Sequence, residues 1–194
     1  MSIKNLWSTP VLEIITDIDG EKIITEIENN PNWKTDFCID KSTGELSRLF
    51  RVFQDSAYAV ASETNIAGER LFCPGMVGME THTFGDSMEL HYHLYAAVVC
   101  VFYPRANEDS GDLVLVDPRG SHFLHIQPFS KSSISIKPGS GKLVAFPANI
   151  NHEVKSNFTN FPRYSIATAW YLGQQEDYIR YFLQQTNNNG MEKQ

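Results

Sequence analysis

Three histidines are the residues of this chain whose type and spacing most clearly suit chemistry. His91 and His93 are separated by one residue, so in an extended segment both side chains would point to the same face. His152, from a distant segment, could supply a third imidazole. Three such ligands suit a divalent metal and leave coordination positions open for other molecules. The pattern predicts a metal site formed by His91, His93 and His152.

A candidate anion site follows the last of these histidines. Arg163 comes eleven positions after His152, and Ser165 would share its face of a strand. A guanidinium can bind both oxygens of a carboxylate, and a nearby hydroxyl can donate a further hydrogen bond. We therefore expect Arg163 and Ser165 to bind a carboxylate beside the metal.

Short β-type runs separated by Gly, Pro, Asn and Asp make up the chain from about residue 70 to about 172. A tight turn at 138–141 and a polar loop at 104–111 have the composition of strand connections. Many short strands in series indicate a two-sheet jelly roll. Strands are predicted at 88–93, 97–103, 112–116, 133–136, 143–146 and 164–170.

Helical patterns flank this β region. A helical lead over about 11–65 contains a short helix after Asp19-Gly20 and a longer one after Ser42-Thr43-Gly44-Glu45, which has the spacing of a capping box. An amphipathic stretch predicts a C-terminal helix over about 174–186. We expect one domain over 1–194, mainly β with flanking helices, whose core is a double-stranded β-helix (jelly roll, cupin-like).

Composition excludes several other classes of protein. The chain has 194 residues, 42% of them hydrophobic and 12% aromatic, which suits a single folded core rather than a disordered segment. No apolar run approaches membrane-spanning length, and no secretory pattern opens the sequence, so we expect no membrane association and a cytoplasmic location. The net charge of −7, with scattered Lys and Arg, argues against a nucleic-acid partner.

Taken in order, short motifs make the chain resemble the 2-oxoglutarate and Fe(II)-dependent oxygenase superfamily, close to a group of bacterial and phage oxygenases with a His-x-His motif. The segments that carry the resemblance span most of the chain: 5–10, 91–93, 101–103, 111–119, 141–147, 152–154 and 163–166. The resemblance implies Fe(II) and 2-oxoglutarate as cofactors. It also implies consumption of dioxygen, release of succinate and CO2, and hydroxylation of an unidentified small-molecule or peptidyl substrate.

The resemblance also implies a division of roles. His91 and His152 would bind iron, Arg163 would bind the distal carboxylate of 2-oxoglutarate, and Ser165 would assist it. The superfamily has an acidic residue where this chain has His93, so the site is one negative charge poorer than usual. Glu89 is an alternative third ligand two residues from His91, and we rank His93 above it. No catalytic residue beyond the metal site is predicted.

Other functions and residue roles stay open at this point. Three imidazoles also suit a cupin-type metal dioxygenase or hydrolase that does not use 2-oxoglutarate, and a jelly roll can serve as a non-catalytic binding module for a carbohydrate or peptide. A homodimer is left open. The remaining candidates have structural or peripheral predicted roles: His122 and His125 in a loop or facing substrate, His82 structural or at the entrance, Arg119 in an exposed ion pair, and Tyr103, Tyr92 and Trp170 as core or rim aromatics.

Overall fold

The computed structural model describes residues 9–38, 41–73, 77–117 and 132–174 of the chain. One strand and then three helices make up its first part, and strands follow one another from residue 71 onwards. In chain order the elements are β1 (Leu12–Ile15), α1 (Gly20–Asn29), α2 (Trp33–Cys38), α3 (Gly44–Ser62), β2 (Leu71–Phe72), β3 (Val77–His82), β4 (Met88–His91), β5 (Val98–Arg105), β6 (Leu113–Val116), β7 (Ser133–Ile136), β8 (Lys142–Pro147), β9 (His152–Val154) and β10 (Arg163–Leu172).

The strands form two antiparallel sheets. The larger sheet has the order β1-β8-β5-β10, and both β2 and β3 pair with β10. The smaller sheet has the order β4-β9-β6-β7. Apolar side chains of both sheets form one buried cluster that includes Val144 and Phe146 from the larger sheet and Leu113 and Leu115 from the smaller. This arrangement is the predicted double-stranded β-helix.

The larger sheet is buried on both faces, which explains the continuous apolar run of β5. Cys100 and Phe102 belong to the cluster that packs against the helices, whereas Val99 and Tyr103 belong to the cluster between the sheets. A strand covered on both sides needs apolar residues at every position rather than at alternate ones. The inter-sheet face of this strand therefore contributes to the interior of the roll, where a site can form.

The helices cover the outer face of the larger sheet, and α3 begins in a way that the sequence did not indicate. The expected capping box at Ser42 to Glu45 is wrong: Thr43 is the N-cap residue and makes no side-chain cap bond. Instead the carboxylate of Glu26, on α1, accepts the backbone N–H groups of Glu45 at 3.0 Å and Leu46 at 2.9 Å. A carboxylate from another helix satisfies these donors and complements the helix dipole.

The predicted helical lead also contains a strand. β1 pairs with β8, with the side chains of Leu12 and Ile14 more buried than those of Glu13 and Ile15. Four alternating residues are too few to stand out among the surrounding isoleucines. The predicted helix at 174–186 lies outside the described residues from position 175 onwards. Within the described ranges, none of the helices is both long and apolar enough to cross a membrane.

Candidate active site

The three predicted histidines come together at one place in the roll. One potential ligand nitrogen from each of His91, His93 and His152 lies within 4.8 Å of the others. The ring centroids of His91 and His152 are 4.2 Å apart, and that of His93 lies 5.3 Å from each. Segments that are about 60 residues apart in the sequence thus form one cluster.

Two of the three rings are oriented by backbone carbonyls of their own segments. His91 and His152 are directly paired residues on β4 and β9. Nδ1 of His91 lies 2.7 Å from the Glu89 carbonyl oxygen, and Nδ1 of His152 lies 2.9 Å from the Ile150 carbonyl oxygen. A carbonyl accepts only, so Nδ1 carries a proton in both rings, and in the neutral form of each ring the lone pair is on Nε2. Both rings therefore have the form of a metal ligand.

His93 reaches the cluster by a different route from the one predicted. β4 ends at His91, not at residue 93, so strand alternation does not place the His93 side chain. Its backbone N–H instead donates to the Ala148 carbonyl oxygen at 3.1 Å, which fixes this residue next to the turn before β9. The predicted convergence is present, but a backbone bond beyond the strand end produces it.

The alternation along β4 is also interrupted. Strand alternation would place Met88 on the opposite face from the histidines, yet it lines the same cavity as His91 and His93. The register of β4 against β9 shifts between Met88 and His91, which is the sign of a bulge. Leu90 and Tyr92 do follow the alternation and point outwards, with 55% and 54% of their surfaces exposed.

Burial keeps the imidazoles of His93 and His152 neutral. It lowers the pKa of His152 to about 4, and burial followed by the proximity of His91 lowers the pKa of His93. A protonated imidazole cannot bind a metal, so a lowered pKa maintains the ligand form at neutral pH. His93 and His152 therefore offer neutral nitrogens to a metal.

A cavity of about 160 Å³ adjoins the histidines between the two sheets. Much of its wall is apolar, from Met88, Val99, Val101, Leu113, Val154 and Ala167. Its other lining residues are polar: His91, His93, His152, Glu80, His82, Tyr103, Arg163 and Ser165. The structure thus places all five predicted site residues around one cavity, with Arg163 and Ser165 on the same face of β10.

Arg163 is the most unusual of these residues, because its charge is buried without a direct counterion. Only 1% of its surface is exposed, and burial lowers the pKa of its guanidinium. Nη1 donates to the carbonyl oxygens of Ser110 at 3.2 Å and Gly111 at 2.8 Å, and Nη2 contacts Nδ1 of His82. Within the described ranges Nε has no hydrogen-bond partner and no carboxylate forms an ion pair with this side chain. An entering carboxylate would accept a hydrogen bond from Nε and would balance the positive charge.

Three residues that matter here were not predicted to belong to the site: His82 was expected to be structural or at the entrance, Tyr103 to be a core or rim aromatic, and Gly111 was given no role. His82 is 7% exposed and pairs directly with Arg163 across β3 and β10. Tyr103 lies on the cavity face of β5, and burial raises its pKa to about 12, so it remains a phenol that can donate a hydrogen bond. Gly111 presents its carbonyl to Arg163. Alternation from Val99 and Val101 could have placed Tyr103, but no local signal marks His82 or Gly111.

The alternative ligand and the secondary candidates have different positions. Glu89 is exposed on β4 and does not belong to the group of potential ligands that the described residues form. Its backbone carbonyl, rather than its carboxylate, serves the site by accepting from His91. His122, His125 and Arg119 lie outside the described residues.

Comparisons with known proteins agree with this arrangement. Residues 79–169 match the model of a family described as "Putative 2OG-Fe(II) oxygenase". No curated protein sequence matches the chain.

Solved structures share the fold at low sequence identity. A prolyl-4-hydroxylase from Pseudomonas putida is 14% identical with a TM-score of 0.58, over 86% of this chain and 90% of that one. HygX from Streptomyces hygroscopicus, solved with nickel and 2-oxoglutarate bound, is 11% identical with a TM-score of 0.57, over 84% and 82%. SnoK, a non-heme alpha ketoglutarate dependent carbocyclase from nogalamycin biosynthesis, is 10% identical with a TM-score of 0.54, over 84% and 79%.

Coverage is lower for an oxidoreductase of the 2OG-Fe(II) oxygenase family from Burkholderia pseudomallei, of which the chain spans 58% at a TM-score of 0.47. At these identities the structural matches establish the fold, whereas the match over 79–169 concerns the sequence itself and includes all five predicted site residues. Residues 79–169 are therefore similar in sequence to 2-oxoglutarate and Fe(II)-dependent oxygenases, and the fold of the chain is the one that solved enzymes of this kind share.

Proposed function

We propose that His91, His93 and His152 bind Fe(II), that Arg163 and Ser165 bind the distal carboxylate of 2-oxoglutarate, and that the enzyme hydroxylates its substrate. One observation carries this proposal: three imidazoles and a buried guanidinium that has no carboxylate partner among the described residues line the same cavity. The imidazoles can bind a metal, and the guanidinium can bind a carboxylate of a dicarboxylate ligand. The family match over residues 79–169 alone would not assign either role to particular residues.

The histidine cluster is of a size that suits a metal after a small contraction. Nitrogens about 2.1 Å from one ion, in adjacent coordination positions, lie about 3 Å apart. The potential ligand atoms here lie within 4.8 Å of one another, so side-chain rotations would be enough to close the set. All three ligands are neutral, and the anionic cosubstrate would supply the negative charge that the protein does not.

The cavity suits a small dicarboxylate. Roughly 150 Å³ is enough to hold benzene in a protein interior, so a cavity of about 160 Å³ suits a compact ligand such as 2-oxoglutarate. The free Nε–H of Arg163 would donate to a carboxylate, and the hydroxyl groups of Ser165 and Tyr103 line the same space. A buried cation gains most from an anion where water is excluded.

When bound, Fe(II) and 2-oxoglutarate supply the oxidising chemistry, in which dioxygen is consumed, succinate and CO2 are released and a substrate C–H bond is oxidised. The protein residues would orient the metal ligands and enclose the cavity. The carbonyls of Glu89 and Ile150 hold the His91 and His152 rings, and the apolar wall that includes Val99, Val101 and Leu113 limits access of water. Hydroxylation is the proposed outcome because it needs no acid, base or nucleophile beyond these residues. The substrate is a small molecule or a peptidyl side chain.

Anaerobic titration of the Fe(II) protein with 2-oxoglutarate tests the proposal. A weak visible charge-transfer band should develop on binding, and succinate should form when air is admitted. Arg163→Ala should raise the concentration of 2-oxoglutarate needed for half-saturation by about 30-fold or more, because a buried charge pair loses one partner. Iron content should not change, and Arg163→Lys serves as the control that keeps the charge. If Arg163→Ala left succinate formation unchanged, the assignment of Arg163 as the 2-oxoglutarate anchor would be wrong.

Three histidine ligands would also suit a second function. This is a cupin-type metal dioxygenase or hydrolase that does not use 2-oxoglutarate. Its signature in the same titration is metal binding with no charge-transfer band and no succinate. If elemental analysis found no metal after reconstitution, a non-catalytic binding module would be favoured instead. Succinate yield across a panel of amino acids, peptides and small metabolites, with mass analysis for a gained oxygen atom, would identify the substrate class and test hydroxylation.

A further inference from the structure

We propose that His82 is a positioning residue: it orients the guanidinium of Arg163 without neutralising it, while Glu80 fixes the tautomer of His82. The inference rests on the proposed function, since it concerns how the 2-oxoglutarate anchor is held. It adds to the site two residues, both on β3, a strand that supplies no candidate metal ligand.

The pairing of β3 with β10 places these residues. His82 lies directly opposite Arg163, and Glu80 lies directly opposite Ser165. All four side chains line the cavity. His82 is buried, whereas the Glu80 side chain is 48% exposed. A row of polar groups therefore leads from the half-exposed carboxylate of Glu80 through the imidazole to the buried guanidinium.

Donor and acceptor roles along this row follow from the chemistry of the groups. A guanidinium has five N–H donors and no acceptor, so Nη2 of Arg163 donates to Nδ1 of His82. Nδ1 is then unprotonated, and the proton of the neutral ring is on Nε2. That N–H can donate to Oε2 of Glu80, which lies 3.2 Å away. The carboxylate of Glu80 thus favours the tautomer in which His82 accepts from Arg163.

The groups among the described residues that accept hydrogen bonds from Arg163 are all neutral. Three of its N–H groups are directed to the carbonyls of Ser110 and Gly111 and to the imidazole of His82. These bonds hold the plane of the guanidinium, and the remaining donors include the Nε–H that has no partner within the described part of the chain. A carboxylate in the place of His82 would hold the plane equally well but would compete with the incoming anion. An imidazole orients the cation and leaves its charge available.

The surrounding backbone supports the position of His82. Asn157 is fully buried, and its side-chain amide donates to the carbonyls of His82 at 3.0 Å and of Phe161 at 2.8 Å. It thus joins the end of β3 to the segment just before Arg163. His82 and Arg163 are therefore linked through both their side chains and their backbones, as expected for a group that must hold one orientation.

The test compares three substitutions of His82. His82→Asn keeps an acceptor near the place of Nδ1, His82→Leu removes it, and His82→Asp adds a competing charge. Binding of 2-oxoglutarate to the Fe(II) protein is measured anaerobically by calorimetry. We expect the dissociation constant to rise about 10- to 100-fold for His82→Leu, at least as much for His82→Asp, and less than about 5-fold for His82→Asn. Metal content should be unchanged in all three variants.

Kinetics and controls separate positioning from structural damage. The KM for 2-oxoglutarate should follow the dissociation constant, while kcat for its decarboxylation at saturation should stay within about 3-fold of wild type. Glu80→Gln should raise the KM only a few-fold. Thr81→Val, an exposed neighbour on the same strand, is the matched control and should change neither value.

The outcomes distinguish this inference from the proposed function. If Arg163→Ala impairs 2-oxoglutarate binding but His82→Leu and His82→Asp do not, the role of His82 is refuted and the anchor stands. If neither Arg163→Ala nor the His82 variants affect binding, the proposed function itself fails. Should His82→Leu not fold, the dissociation constants of His82→Asn and His82→Asp decide. Weaker 2-oxoglutarate binding in the aspartate variant alone supports the positioning role, and equal dissociation constants in the two variants overturn it.

Discussion

The histidine cluster and Arg163 line one cavity but are held in opposite ways. Nδ1 of His91 and of His152 bonds to a carbonyl only two positions away along the chain. The three bonds of Arg163 reach 52, 53 and 81 positions away. The orientation of these two rings on the metal side is thus encoded locally, whereas the orientation of Arg163 on the anion side depends on the assembled fold. Substitutions should therefore act on the cluster by removing a ligand, and on Arg163 through residues that are distant in sequence.

The largest effect should come from the locally encoded side. We expect His152→Ala to lose bound metal and to reduce succinate formation by more than about 100-fold, since removing a ligand exceeds the 10- to 100-fold cost of removing its supporting residues. Metal content by elemental analysis and succinate yield are the measurements. His125→Ala is the control histidine, which the sequence hypothesis leaves outside the ligand set. Loss of metal in both variants would show that the cluster of three is not the whole site.

Gly111→Ala tests the long-range side. Gly111 has a φ of +99°, and a Cβ there would lie 2.1 Å from the Lys155 carbonyl oxygen and 3.1 Å from Nη1 of Arg163. We expect the free energy of unfolding to fall by about 2 kcal/mol or more, because both strain and overlap must be relieved. Affinity for 2-oxoglutarate should fall while metal affinity is retained. The control is Gly139→Ala, where a Cβ meets no atom within 4 Å; denaturant unfolding of both variants decides.

A smaller effect on Fe(II) affinity is expected at His93, the histidine of the cluster with the fewest orienting contacts. The His93 ring makes no orienting hydrogen bond to the described residues, and His93 lies beyond the end of β4. His93→Asp should therefore keep Fe(II) affinity within about 10-fold of wild type, since a carboxylate suits this metal and restores the charge that three imidazoles lack. His91→Asp, in the strand, should weaken binding much further. If calorimetric titrations showed the same loss of Fe(II) affinity in both variants, the inference that His93 is held less firmly than His91 would be wrong.

The same contrast explains which parts of the site could be predicted. The His91-x-His93 spacing and the Arg163-x-Ser165 spacing are local patterns, and each pair does line the cavity. His82 could not be identified in this way, because its importance comes from the pairing of β3 with β10, which places it opposite Arg163. The register of two strands cannot be read from either strand alone. The bulge that turns Met88 into the cavity is equally invisible in the sequence.

The fold was predictable for similar reasons. The double-stranded β-helix, the helix after Asp19-Gly20 and the long helix α3 follow from composition and periodicity, and all three are present. The strands that were missed are short or polar: β1, β2, β3 and β9. The capping box at Ser42 was a local expectation that a tertiary contact replaced, because the carboxylate of Glu26 reaches the same N–H groups.

The unequal covering of the two sheets has a consequence for how the molecule opens. Helices α1 and α3 contact the central strands of the larger sheet, whereas β4, β7 and β9 have exposed or half-exposed residues at most positions. Backbone amides in the thinly covered sheet should exchange with solvent through small, frequent openings, and those of β5 and β10 only through global unfolding. His91 and His152 thus lie in the part that opens first, and Arg163 in the part that opens last. Any ligand that spans the cavity would stabilise the smaller sheet more than the larger one.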